Sequence, residues 1–199
     1  MKRIFILLFV SLLSGTAPAQ ESFSDCFKNS IKMNLDSAGK LAKNPFEVWK
    51  ACVVEKKIPI FNGVSLSGDT VDINQLKGKV VVINFWFIDC HPCIAEIPGL
   101  NRLVDEYKGK DIVFLAITWE SIKRMYSDFL PKYKLDFIII PNVQTVINKI
   151  GVPGYPTTYI VDQKGIIKSA WTGGSIGDKA GLEYYEKAKP VIDGLLKYQ

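Results

Sequence analysis

The sequence predicts an α/β fold, a mixed central sheet flanked by helices, with a short helical appendage at the N-terminus. Three observations carry this reading. Near-continuous apolar runs of strand length, such as Val80-Val81-Val82-Ile83-Asn84-Phe85, alternate with longer segments of helical spacing, the pattern of strands buried on both faces. Two late runs, 159–162 and 166–171, meet across the turn Gln163-Lys164-Gly165, which places an antiparallel pair in the same sheet. Residues 20–57 differ from all of this, being rich in Lys and Asn with apolar residues at roughly helical intervals.

Taken in order, the chain of 199 residues opens with a secretion signal over 1–19. Lys2 and Arg3 precede an apolar run from Ile4 to Leu13, and Ala17-Pro18-Ala19 is a small-residue cleavage site. The run is shorter than the roughly 20 residues that span a bilayer, and an uncleaved anchor would need a longer one. The expected product is secreted, in a periplasm-like compartment where disulfides persist, with no stable membrane insertion after cleavage. The signal carries two of the 25 basic residues and none of the 20 acidic ones, which leaves 23 against 20. The basic residues are scattered, so nothing argues for nucleic acid or an anionic membrane as a partner.

The appendage, residues 20–57, reads as two helices with Phe27, Ile31, Leu35, Leu41, Phe46, Trp49 and Val53 as their apolar positions. Asn44-Pro45 breaks the first and opens the second. Cys26 and Cys52 fall near the outer ends and are expected to pair as a structural staple, worth about 3–4 kcal/mol in the chain-entropy model. The alternative is a second redox pair, although no sequence neighbour activates either thiol. From Ile58 to the end the α/β domain follows. Gly68-Asp69 suggests a hairpin, and 80–85 a buried strand. A helix is expected to about Tyr107, a strand at 111–118 and a helix at 120–133. A strand at 137–140 and a helix at 143–150 lead to the late strand pair, and a helix over 176–198 closes the chain.

Cys90-His91-Pro92-Cys93 lies where the central strand gives way to a helix. Two thiols three positions apart at a helix start can close a disulfide and reopen it. The free N–H groups and partial positive charge of that helix end stabilise a thiolate at Cys90. Pro92 suits the first turn, where its missing N–H costs nothing. Other chemistries fit less well. A structural zinc site needs a second, similar pair, which Cys26 and Cys52 do not form. A c-type haem attachment needs His after the second cysteine, where Ile94 stands. Peroxide reduction through Cys90 and an inert bridge stay open. In exchange, Cys90, nearer the helix start and the more exposed of the two, attacks or is attacked, and Cys93 resolves the mixed disulfide. His91, the one histidine in the sequence, either favours the Cys90 thiolate when protonated or is merely solvated.

Together, Asn84-Phe85-Trp86 leading into this motif, Val152-Pro153-Gly154-Tyr155-Pro156-Thr157 and Val161-Asp162-Gln163-Lys164-Gly165 resemble the thioredoxin superfamily, specifically its exported TlpA/ResA-like thiol–disulfide oxidoreductases. The resemblance covers about residues 58–175. It implies a thioredoxin-like fold, with Pro156 as a cis-proline facing the disulfide and Tyr155 presenting its backbone to a substrate; the bland alternative is an ordinary trans loop. Glu96 shares a helix face with Cys93, where similar enzymes carry an acid that adjusts the thiols; otherwise it only complements the helix dipole. Trp86 either lines the site or packs in the core. Two departures stand out. Asn84 replaces the usual buried Asp, and Asp89 replaces the usual Trp before the first cysteine, its charge opposing a Cys90 thiolate.

The expected function is reduction of protein disulfides outside the cytoplasm, of the kind that prepares apocytochromes for haem. Its rivals are a disulfide oxidase or isomerase, a thiol peroxidase, and a non-catalytic binding module of the same fold. No nicotinamide or flavin fingerprint occurs, so no cofactor is expected, and a reductant would draw electrons from a membrane partner.

Overall fold

The computed structural model describes residues 23–32 and 43–197. Helices α1 (Phe23–Lys32) and α2 (Pro45–Val53) precede a hairpin of β1 (Asn62–Val64) and β2 (Thr70–Asp72). There follow β3 (Val80–Phe85), α3 (His91–Ala95), α4 (Ile97–Glu106), β4 (Ile112–Ile117) and α5 (Ile122–Arg124), which runs into a π-helical turn at Met125–Phe129. The chain ends with β5 (Ile138–Ile140), α6 (Gln144–Ile150), β6 (Thr157–Val161), β7 (Ile167–Thr172) and α7 (Ala180–Leu196). The last five strands form one sheet in the order β5-β4-β3-β6-β7. β3, β4 and β5 run parallel, while β6 is antiparallel to both β3 and β7. This is the thioredoxin-like arrangement.

Every residue of β3 is buried, because helices cover both faces of the strand. Val80, Val82 and, just beyond, Trp86 pack with Leu100 and Leu103 of α4 and Tyr184, Ala188 and Ile192 of α7. Val81, Ile83 and Phe85 face the opposite core, with Ile147 and Ile150 of α6 and Trp49 and Val53 of α2. The appendage therefore completes one face of the sheet. Asn44 caps α2, its Oδ1 accepting from the Phe46 N–H at 2.9 Å, and Pro45 takes the first helical position. A disulfide joins Cys26 to Cys52. The expected signal (1–19), Leu35 and Leu41 lie outside the described residues. Among those residues, no helix is long and apolar enough to cross a membrane.

Three expected helices differ in detail. The motif helix is broken at Glu96, because Pro98 has no N–H to return to the Ile94 carbonyl. The helix expected over 120–133 is shorter: Glu120 precedes it as a buried residue, and the Leu130 N–H bonds back five residues to the Met125 carbonyl (2.9 Å) just before Pro131. The last helix begins at Ala180 rather than 176, since Gly177 holds a left-handed φ of 90°.

α4 and α7 cross at glycines. A Cβ on Gly99 would lie 1.9 Å from the Gly181 carbonyl oxygen, so the two backbones touch only because neither residue has a side chain. Gly99→Ala should lower unfolding free energy by about 2–3 kcal/mol in denaturant titrations at unchanged m-value. A loss below about 0.5 kcal/mol would mean that the helices can slide apart.

Candidate active site

The β3 strand delivers the motif to the sheet's C-terminal edge. After Trp86 the chain turns tightly, with the Cys90 N–H bonding the Phe87 carbonyl at 3.2 Å. α3 then starts with Cys90 as its N-cap, and Cys90 Sγ accepts from the Cys93 N–H at 3.3 Å. The helix end therefore points a backbone donor at the first sulfur, which is where a thiolate needs it. Cys90 and Cys93 form a disulfide. Both are largely buried, at 5% and 3% exposure.

The Tyr155–Pro156 peptide is cis. Pro156 is fixed from behind by its carbonyl, which accepts from the Gly173 N–H at 2.8 Å and from the Thr172 hydroxyl at 3.3 Å. Among the described residues, the Tyr155 N–H and C=O make no backbone hydrogen bond. Burial pushes the Tyr155 phenol up to about 12. Its ring meets Trp119 edge-on at 4.7 Å and Phe87 at 5.4 Å, while Phe87 stacks on Trp119 at 4.8 Å. This half-buried aromatic trio flanks the turn into Cys90. Sequence reasoning missed Phe87 and Trp119; the one signal available was that each follows the end of a central strand.

Glu96 is 3% exposed and lies at the α3–α4 break. A Cβ on Gly174 would lie 2.4 Å from Glu96 Oε1 and 3.1 Å from Pro156 Cγ, so the carboxyl, the cis-proline and the β7–α7 loop converge. Burial pushes the Glu96 carboxyl up to about 8, with Lys187 pulling it back. Glu96 Oε2 finds no hydrogen-bond partner among the described residues. An open cleft of about 380 Å³, lined by Glu96, Gly174, Tyr184 and Lys187, connects it to solvent. Beneath the site Asn84 donates to Thr158 Oγ1 (3.1 Å), which bonds the Tyr184 hydroxyl (3.2 Å). This neutral hydrogen-bonded chain stands where the resemblance led one to expect a buried acid.

The other expected residues fall in different places. His91 opens α3 and borders a surface groove with Asp89, Ile94 and Tyr133. Trp86 is 2% exposed and packs on Phe129 at 4.5 Å, so it is a core residue beneath the insert, the segment between β4 and the Pro156 loop, and does not line the surface. The Cys26–Cys52 bridge belongs to the appendage and is not brought to the Cys90 site. The expectation that nothing activates those two sulfurs needs correction. Lys56, four residues after Cys52 and past the end of α2, places Nζ 3.4 Å from Cys52 Sγ and 3.7 Å from Cys26 Sγ. The Asp89 charge, expected to act unopposed by anything but His91, is paired with Arg124 at 3.1 Å. Among the described residues no three His, Cys, Asp or Glu side chains gather to hold a metal ion.

A vicinal cysteine pair at a helix start, a cis-proline across from it and a buried acid one turn on define a thioredoxin-fold thiol–disulfide oxidoreductase. Residues 54–170, more than half of the chain, match the AhpC/TSA family, and the chain belongs to it. It is 32% identical over 126 residues to the thiol-disulfide oxidoreductase ResA of Halalkalibacterium halodurans, which covers 63% of this chain and 71% of that one. With ResA of Bacillus thuringiensis it shares 30% identity over 145 residues, 72% of this chain and 77% of the relative. Among solved structures, a putative thiol:disulfide interchange protein DsbE from Chlorobium tepidum aligns with TM-score 0.58 at 26% identity, over 68% of this chain and 96% of that one. The enzyme is of this ResA/DsbE type.

Proposed function

We propose that the protein acts outside the cytoplasm as a reductant of protein disulfides. The observation that carries this reading is the buried Glu96 one turn behind Cys93, with its carboxyl pushed up to about 8. That value lies close to an ordinary thiol's, so proton transfer between Glu96 and Cys93 is nearly balanced in energy. In the forward cycle the Cys90 thiolate attacks one sulfur of a client disulfide. A Cys90–client bond forms and one client thiolate leaves, to be protonated from solvent. Cys93 then gives its proton to the Glu96 carboxylate and attacks Cys90. The Cys90–Cys93 bond closes and the second client thiolate leaves. The client gains two electrons and the enzyme loses two. A membrane dithiol donor restores them by the same exchange in reverse, with Glu96 returning the proton.

Export is supported by the Lys2-Arg3 start, the apolar run and the Ala17-Pro18-Ala19 site. Client capture is supported by the unpaired Tyr155 backbone and by the aromatic trio beside it. The names of the ResA relatives place them in the same reaction class. Clients of the apocytochrome kind would present an oxidised cysteine pair in an extended segment.

A Cys93→Ala variant expressed with its signal intact should accumulate mixed disulfides through Cys90, visible as adducts that collapse under reductant. The potential of the wild-type pair, set against glutathione, fixes the direction. A value near about −270 mV or below supports the reductant, and one near about −120 mV makes the protein an oxidase. Absence of any adduct, with the pair remaining oxidised in the cell, would leave only a binding role.

A further inference from the structure

Asp89 directly precedes the reactive cysteine, and the structure gives it a partner from across the site. Arg124 Nη2 bonds Asp89 Oδ2 at 3.1 Å. The same guanidinium reaches two more acids: Nη1 bonds both oxygens of Glu120, at 3.2 and 3.0 Å, and Nε bonds Asp128 Oδ2 at 3.1 Å. Glu120 is no ordinary surface acid. Its side chain is 4% exposed, and its Oε1 also accepts the N–H of Ile88, in the turn that enters the motif (3.2 Å).

The platform beneath this clasp is rigid. The Glu120 N–H bonds Thr118 Oγ1 at 3.2 Å, and its carbonyl accepts from the Asn142 N–H at 2.9 Å. The Arg124 N–H is held by the cap residue Ser121 at 3.2 Å. Hydrogen bonds to Asp128 and Asp89 push the Arg124 guanidinium further up from an already high value, so its charge is permanent. A lone exposed ion pair contributes little, but a guanidinium whose three nitrogens each bond a different carboxylate, Nη1 shared between both oxygens of Glu120, is geometrically specified.

We propose that Arg124 is a positioning residue for the reactive cysteine: it clasps Asp89 and Glu120, fixes the Ile88-Asp89 turn that presents Cys90, and offsets part of the Asp89 charge beside the sulfur. This rests on the exchange reaction proposed above. The groups that bear on a Cys90 thiolate are then accounted for from every side. They are His91 on its own helix, Asp89 before it, Tyr155 beside Phe87 of the motif turn, Glu96 with Lys187 at the end of α3, and Glu120, Arg124, Asp128 and Lys132 from the 120–133 segment. Arg124 is the cation that weakens the opposition of Asp89 to ionisation of the nucleophile.

The test is the pH profile of Cys90 alkylation by iodoacetamide in reduced wild type, Arg124→Gln, Arg124→Lys, Asp89→Asn and the Asp89→Asn/Arg124→Gln double variant, read by mass spectrometry of the Cys90 peptide. Removing the cation uncovers Asp89, so R124Q should alkylate about five-fold more slowly at neutral pH and shift its profile upward. The double variant should return to within about two-fold of wild type, and R124K should recover most of the rate. Should R124Q fail to fold, D89N alone decides. With Arg124 already offsetting much of the charge, D89N should change the rate less than about two-fold, and a five-fold acceleration would overturn the proposal. A profile for R124Q that coincides with wild type, or no recovery in the double variant, also overturns it. A wild-type Cys90 no more reactive than a free thiol overturns the exchange reading instead.

Discussion

Replacing Cys90 with Ser should abolish disulfide exchange, lowering the rate by on the order of a thousand-fold or more while leaving the fold intact. The reasoning is local. Cys90 sits at the N-cap of α3, and its sulfur accepts from the Cys93 N–H. A serine oxygen can take that capping bond, so α3 keeps its start. It cannot ionise near neutral pH or form the covalent bond that carries the electrons. The check is turnover of a disulfide substrate alongside far-ultraviolet circular dichroism. Residual exchange within about ten-fold of wild type would mean that Cys93 is the nucleophile, reversing the assigned order.

The second large effect concerns pH. In the folded, oxidised protein the Glu96 carboxyl is pushed up to about 8 by burial, against an ordinary value near 4.5. Between these values the folded state holds a proton that the unfolded chain has released. Stability is therefore fully present below about pH 4.5 and lost as pH rises through about 8. A shift of that size corresponds to about 3–5 kcal/mol between pH 4.5 and 9, using 1.36 kcal/mol per unit. Glu96→Gln removes the titration. Its stability relative to wild type should rise by that amount over the interval, whatever constant offset the amide's packing adds. Melting of both oxidised proteins from pH 4.5 to 9 is the measurement. Parallel curves would mean that water or a cation already satisfies the carboxylate.

The parts of this molecule that were legible in its sequence are those decided locally. The strand 80–85 is apolar at every position but Asn84, and the motif follows at once with a proline in the first helical turn, so strand, turn and helix start could all be placed. The break at Glu96 was only half visible: Pro98 marked a kink, but that the acid itself would sit at the joint, buried against Pro156 and Gly174, depends on the β7–α7 loop arriving from 78 residues further on in the chain. The insert misled more. Its spacing suits a plain helix from Glu120, yet Glu120 is drawn beneath the motif turn by the Ile88 N–H and by Arg124. That pull comes from a segment separated from it by 32 residues, and no period within 120–133 records it. The same holds for Trp86, whose burial is decided by Phe129. Charge signs were readable and their pairing was not: Asp89 was seen to threaten the thiolate, while its Arg124 partner stood 35 residues away.

Trp49 is wholly inaccessible, and its ring edge meets Tyr159 of the sheet at 5.7 Å, although it lies before residue 54, where the family match begins. Cutting the protein at the border drawn by kinship would therefore strip an indole out of a dry interior and lay bare the underside of β6. Ancestry and packing mark different limits here: the family match covers residues 54–170, but the buried core reaches back at least to the bridge at Cys26.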